Sequence, residues 1–188
     1  MPAAAGPVKV LMLALLLSSF IVAADQFTKF LVRNDFYPGD SLPVWPGLFH
    51  LTYVRNTGAA WGMLGGLNGW LAGLSVVMLL ALVIFRRSLL SDTLAHRLAL
   101  GLMIGGIVGN LMDRLRLSYV VDFLDFFWHG HHFPAFNVAD ASICVGVGLY
   151  VLTSFGLGGR VAGPALKAAP VGAPDRLAGD RSAGAPGA

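Results

Sequence analysis

Glutamate is absent from this chain. All ten acidic residues are aspartates, and together with thirteen lysines and arginines they make up only 12% of 188 residues. Soluble domains carry roughly 25% charged residues, so the composition excludes a soluble globular enzyme, a coiled coil and a disordered chain. Cysteine is nearly absent too. One cysteine, Cys144, excludes an internal disulfide framework and a thiolate zinc cluster. It stands in an apolar run, which reads as an inert core thiol. A formal charge of +3 is too small to point to nucleic acid.

What the chain does have is apolar surface. AVILMFWYC residues make up 56% before the 24 glycines are added, a membrane-protein composition. A spanning helix needs about 20 residues, and four candidate stretches appear, about 8–24, 67–85, 98–112 and 141–157, the third of them short. The fold expected is an integral membrane, mainly α protein with one domain over residues 1–157. The third stretch carries Gly101, Gly105 and Gly109 at spacing four, a face that admits a neighbouring helix at close range. Four spans put both termini on one side. That side collects eight Lys and Arg residues against five on the other, so the termini and the 86–97 loop are expected in the cytoplasm. Seven of the ten aspartates fall on the outer side. Lys9, the Leu11–Ala23 run and Val22-Ala23-Ala24 also resemble a cleavable signal peptide. Asp25 is better explained if that helix stays.

Between the first two spans, Pro38, Gly39, Pro43, Pro46 and Gly47 break any helix. Phe49–Val54 reads as a strand with Phe49, Leu51 and Tyr53 on one face, which predicts a small outer β-sheet over about 34–66. A second outer segment, about 115–139, is rich in Phe and Trp. Residues 158–188 are dominated by Gly, Ala and Pro and are expected to form a disordered cytoplasmic tail.

Ionisable groups at membrane helices are functional candidates by default. Asp140 opens the fourth span, where a carboxylate can cap free N–H groups and meet the positive end of the helix dipole. Asp113 and Arg114 close the third span, where they either pair with each other or serve a site. Asp122 lies between Val121 and Phe123 inside an apolar run, a poor place for a solvated acid. The third span rises to the outer face and the fourth leaves from it, so Asp122 and Asp140 share a side and a depth. Two carboxylates brought close split their pKa values, which gives an acid and a base from one residue type. The base can take a proton from water that attacks a peptide carbonyl. Asp125 is the rival dyad member. His129, His131 and His132 could hold a metal with nearby aspartates, but no His-x-x-x-His pair exists and none is expected. His50 and His96 read as a strand-surface and a loop residue.

Five ordered motifs carry a family resemblance: Asp25-Gln26-x-x-Lys29, Asn56-x-Gly58-Ala59-Ala60-Trp61-Gly62, Gly109-Asn110-x-x-Asp113-Arg114, Val121-Asp122-Phe123 and Phe136-Asn137-x-Ala139-Asp140. Over about residues 8–157 the chain resembles bacterial lipoprotein signal peptidase (signal peptidase II). The resemblance implies a multi-pass aspartic endopeptidase of the bacterial cytoplasmic membrane. Such an enzyme removes signal peptides from diacylglyceryl-modified prolipoproteins, before the lipidated lipobox cysteine, without a cofactor. Asp122 and Asp140 would be the catalytic pair. Asn56, Asn110, Asp113, Arg114 and Asn137 would bind and position substrate, with Asp25, Gly58 and Ala139 in support. Membrane lipid, prolipoproteins and the inhibitor globomycin are the implied partners, and a monomer is expected. Trp61 stands where Phe is more usual. Two other classes compete: a small transporter or proton-relay subunit using the same aspartates, and a structural membrane protein whose acids only cap and pair.

Overall fold

The structure, a computed structural model, describes residues 7–58, 65–89 and 93–155, and the statements below concern those residues. The expected tail at 158–188 and the motif residues Ala59–Gly62, Trp61 included, lie outside them. Four helices and four strands follow in the order α1 (Pro7–Asp35), β1 (Ser41–Trp45), β2 (Phe49–Asn56), α2 (Asn68–Leu89), α3 (Leu94–Leu117), β3 (Val120–Trp128), β4 (His131–His132) and α4 (Val138–Ser154). α1, α2 and α3 are long and apolar enough to cross a membrane. α4, at 17 residues, sits at the lower limit for a span.

The helices run further than the hydropathy suggested. α1 continues through Ala24 and Asp25 to Asp35, and α3 continues past Asp113 and Arg114 to Leu117. Charged residues end a hydropathy run without ending a helix when they find partners inside the fold, and here Asp25, Lys29 and Asp113 pair with one another. α3 is the central helix, with α1 and α4 on its flanks. Its small-residue face makes this possible. A Cβ on Gly101 would lie 2.9 Å from the Ala14 carbonyl oxygen, and one on Gly105 would lie 2.8 Å from Ile21 Cβ. α3 ends at Ser118, whose left-handed backbone (φ 66°) lets its N–H bond the Arg114 carbonyl and turns the chain directly into β3.

The sheet, in the order β1-β2-β3-β4, is antiparallel throughout. Pro43 is confined to edge strand β1, where a missing N–H costs no ladder bond. β3 was not anticipated as a strand. It pairs with β2 from Phe49↔Phe126 to Asn56↔Val120, with Val54 opposite Asp122 and an irregularity between Leu51 and Val54. Val121, Phe123 and Tyr53 are buried with Val32 of α1, and Leu51 packs against them. This small core fixes the sheet on the helix ends, at the end of the bundle where α3 stops and α4 starts.

Candidate active site

Asp122 and Asp140 come from different elements. β3 carries Asp122 inward, 2% exposed. The Phe133–Phe136 segment then returns along β3, with Phe136 N–H donating to the Leu124 carbonyl and Leu124 N–H donating back to the Phe136 carbonyl. That return delivers Asn137 as the N-cap of α4. The Asn137 side chain accepts from Asp140 N–H and Asp140 Oδ2 accepts from Asn137 N–H, a capping box that fixes the Asp140 rotamer. The expected capping role of Asp140 is therefore real, and it orients the carboxylate.

Two asparagines link the carboxylates. Asn110 Nδ2 donates to Asp140 Oδ1 at 2.6 Å. Asn137 Nδ2 donates to Asp122 Oδ1 at 2.7 Å and to Asn110 Oδ1 at 3.2 Å. Asn56 Nδ2 completes the shell, donating to Asp122 Oδ2 at 2.9 Å. Burial dominates the electrostatics of Asp122 and the nearby Asp140 charge adds to it. The Asn56 and Asn137 amides and the Lys29 charge oppose them only in part, and the Asp122 carboxyl is pushed up to about 7.

Behind these carboxylates lies a second polar layer. Lys29, 1% exposed, donates to Asp25 Oδ2 at 2.8 Å, Asp113 Oδ2 at 3.0 Å and Asn110 Oδ1 at 2.9 Å. Asp25 Oδ1 accepts from Ala139 N–H at the start of α4. Asp113 Oδ2 accepts from Val121 N–H, next to Asp122, and Asp113 Oδ1 accepts from Gln26. Each buried carboxylate thus grips the backbone of an element that carries one member of the pair.

A cavity of about 660 Å³ opens on the pair. Asn56, Gly58, Arg114, Asp122 and Asp140 supply its polar wall, while Val54, Phe133, Phe136, Ile143 and Cys144 make much of the rest apolar. Arg114 Nη2 donates to the Gly58 carbonyl at 3.3 Å, and Asn68 holds the Arg114 carbonyl.

The family resemblance assigns Asn110, Asp113 and Asn137 to substrate positioning. They stand behind the carboxylates and not on the cavity wall, whereas Asn56 and Arg114 do line it. Asp113 does not pair with Arg114; its partner is Lys29, which reaches it across the α1–α3 contact. Cys144 is no core thiol: it is exposed and lines the cavity, because α4 packs on α3 through its Gly146 side and leaves this side open. His96 is not a loop residue but is buried in the first turn of α3, against Thr93, Thr153 and Ser154. Asp125 points away from the pair and bonds His132 at 2.9 Å. Sequence reasoning gave Lys29 no role, although its i,i+4 spacing from Asp25 was the available signal.

Comparison with known proteins identifies a family. The sequence profile of the Signal peptidase (SPase) II family, peptidase A8, matches residues 17–156. A lipoprotein signal peptidase of Syntrophotalea carbinolica is 43% identical over 144 residues, covering 75% of this chain and 89% of that protein. One from Moorella thermoacetica is 46% identical over 134 residues, covering 71% and 86%. A bacterial membrane enzyme solved by the in meso method at 2.3 Å superposes with a TM-score of 0.70 at 36% identity, over 76% of this chain and 86% of its own.

Proposed function

The chain belongs to the signal peptidase II family, the A8 aspartic peptidases, and from that premise we propose that Asp122 and Asp140 cleave prolipoproteins immediately before a diacylglyceryl-modified cysteine. It is a bacterial-type, multi-pass membrane peptidase that removes signal peptides from prolipoproteins. The observation that carries the finer reading is the pairing of two carboxylates through Asn110 and Asn137 at the wall of a largely apolar cavity.

In the resting state Asp122 holds the proton, consistent with its carboxyl being pushed up to about 7, and Asp140 is the carboxylate. Asp140 takes a proton from water, and the resulting hydroxide adds to the scissile carbonyl carbon while Asp122 protonates the carbonyl oxygen. The gem-diol then collapses. Asp140 returns its proton to the departing cysteine nitrogen, Asp122 recovers one from a gem-diol hydroxyl, and the C–N bond breaks. Asn56 and Arg114 lie on the wall where they can hold the peptide backbone of the substrate. The apolar part of the cavity suits the lipid chains and the end of the signal helix, which arrives laterally from the bilayer. Positive-inside bias supports cytoplasmic termini, and hence a site at the outer face of the cytoplasmic membrane.

The test uses the full chain in lipid vesicles with a diacylglycerylated precursor, and identifies the new N-terminus by mass spectrometry. Cleavage before the lipidated cysteine, blocked by globomycin, is the expected result. A cut elsewhere contradicts the assigned bond. No cut together with proton flux across the vesicle favours the proton-relay reading, which the same two aspartates could also serve.

A further inference from the structure

The fully buried Lys29 is the least explained charge near the site. It is on α1, is absent from the cavity wall and touches neither reacting carboxylate directly. Its three donors are all used, on Asp25, Asp113 and Asn110. The contact with Asn110 has a directional consequence. An ammonium only donates, so it compels the Asn110 amide to present its oxygen to α1. The same oxygen accepts from Asn137. The Asn110 NH2 must then face Asp140, where it makes the 2.6 Å bond. Without Lys29 the amide could turn over and put its oxygen against the Asp140 carboxylate.

We propose that Lys29 is a positioning residue of the reaction, setting the Asn110 amide that orients Asp140 and supplying the buried positive charge against which the Asp122–Asp140 pair works. This rests on the peptidase reading above. The charges around the pair are few. α1 contributes Asp25 and Lys29, and α3 contributes Asp113 and Arg114, whose charge lies within electrostatic reach of Asp140, Asp122 and Asp113. β2 contributes Arg55 on the cavity wall, β3 contributes Asp122 and α4 contributes Asp140. Among the described residues, Lys29 is the cation that also orients a hydrogen bond to the pair.

The experiment is the pH dependence of precursor cleavage by the full chain in vesicles, for wild type, Lys29→Met and Asp113→Asn. The alkaline limb of the profile reports loss of the Asp122 proton. Removing the cation should move that limb up by about one pH unit and lower the plateau kcat about tenfold, with KM little changed. Asp113→Asn keeps Lys29 and removes an anion, so its limb should move the opposite way. A purely structural Lys29 would lower activity and thermal stability without moving either limb, and that result overturns the proposal. Should Lys29→Met fail to fold, Lys29→Met/Asp113→Asn, which removes one of the carboxylates left without its cation, is compared with Asp113→Asn: a higher limb in the double variant supports the proposal and equal limbs overturn it. A wild type that does not cleave would instead bring down the peptidase reading itself.

Discussion

The inner and outer ends of β3 hold the same residue type in opposite circumstances. Asp122 turns its carboxylate into the protein, where Asn56 and Asn137 donate to it and Asp140 is its neighbour. Asp125, three residues on, faces the other side of the strand, shares that side with Val121 and Phe123, and bonds a half-exposed His132. Chemistry at this site therefore follows surroundings rather than residue type. Asp122 has burial, a like charge and two amides aimed at it, whereas Asp125 has an imidazole at the sheet tip.

Substitutions at the two aspartates should separate them clearly. Asp122→Asn and Asp140→Asn should each lower the cleavage rate on the order of 10²–10⁴-fold, measured as accumulated precursor at matched expression. Next comes a pH effect on stability. The folded-state carboxyl of Asp122 lies near 7 against an ordinary 3.8. The folded protein therefore binds more protons than the unfolded chain between those values, and it loses stability as pH rises from about 4 to about 7. The full loss is on the order of 4 kcal/mol. Denaturant unfolding of Asp122→Asn should show a smaller decline than wild type. Gly109→Ala acts on the layer behind. Its Cβ would meet Asp25 Oδ2 at 2.6 Å and Ala139 Cβ at 3.3 Å, costing about 1–3 kcal/mol against a gain of up to about 1 kcal/mol in helix propensity. A lowered melting temperature is the expected result. Asp125→Asn should change cleavage less than about twofold, the size of an ordinary surface substitution.

How far the sequence discloses this arrangement depends on range. The Gly101, Gly105 and Gly109 stripe is local and periodic, and it does mark where α1 lies against α3. Asp140 at a helix start is equally local. The helix ends are less legible, because Asp25, Lys29 and Asp113 look like the borders of apolar runs until their mutual pairing is seen. β3 is hidden for a related reason: Val120–Phe126 is a nearly continuous apolar run, and its partner β2 is distant in the chain. The family motifs name Asn110, Asp113 and Asn137 alongside Asn56 and Arg114. Only the folded chain separates those behind the carboxylates from those on the cavity wall, since that difference lies in the direction a side chain takes from its helix, strand or cap.

The most direct measurement is the infrared carboxylic-acid stretch of the protein in lipid across pH 5 to 8, compared with Asp122→Asn and Asp125→Asn. The account predicts a protonated-carboxyl band that titrates with a midpoint of about 7, disappears in Asp122→Asn and persists in Asp125→Asn. A band that keeps this midpoint in Asp122→Asn, or the absence of any such band above pH 5 in the wild type, would contradict it.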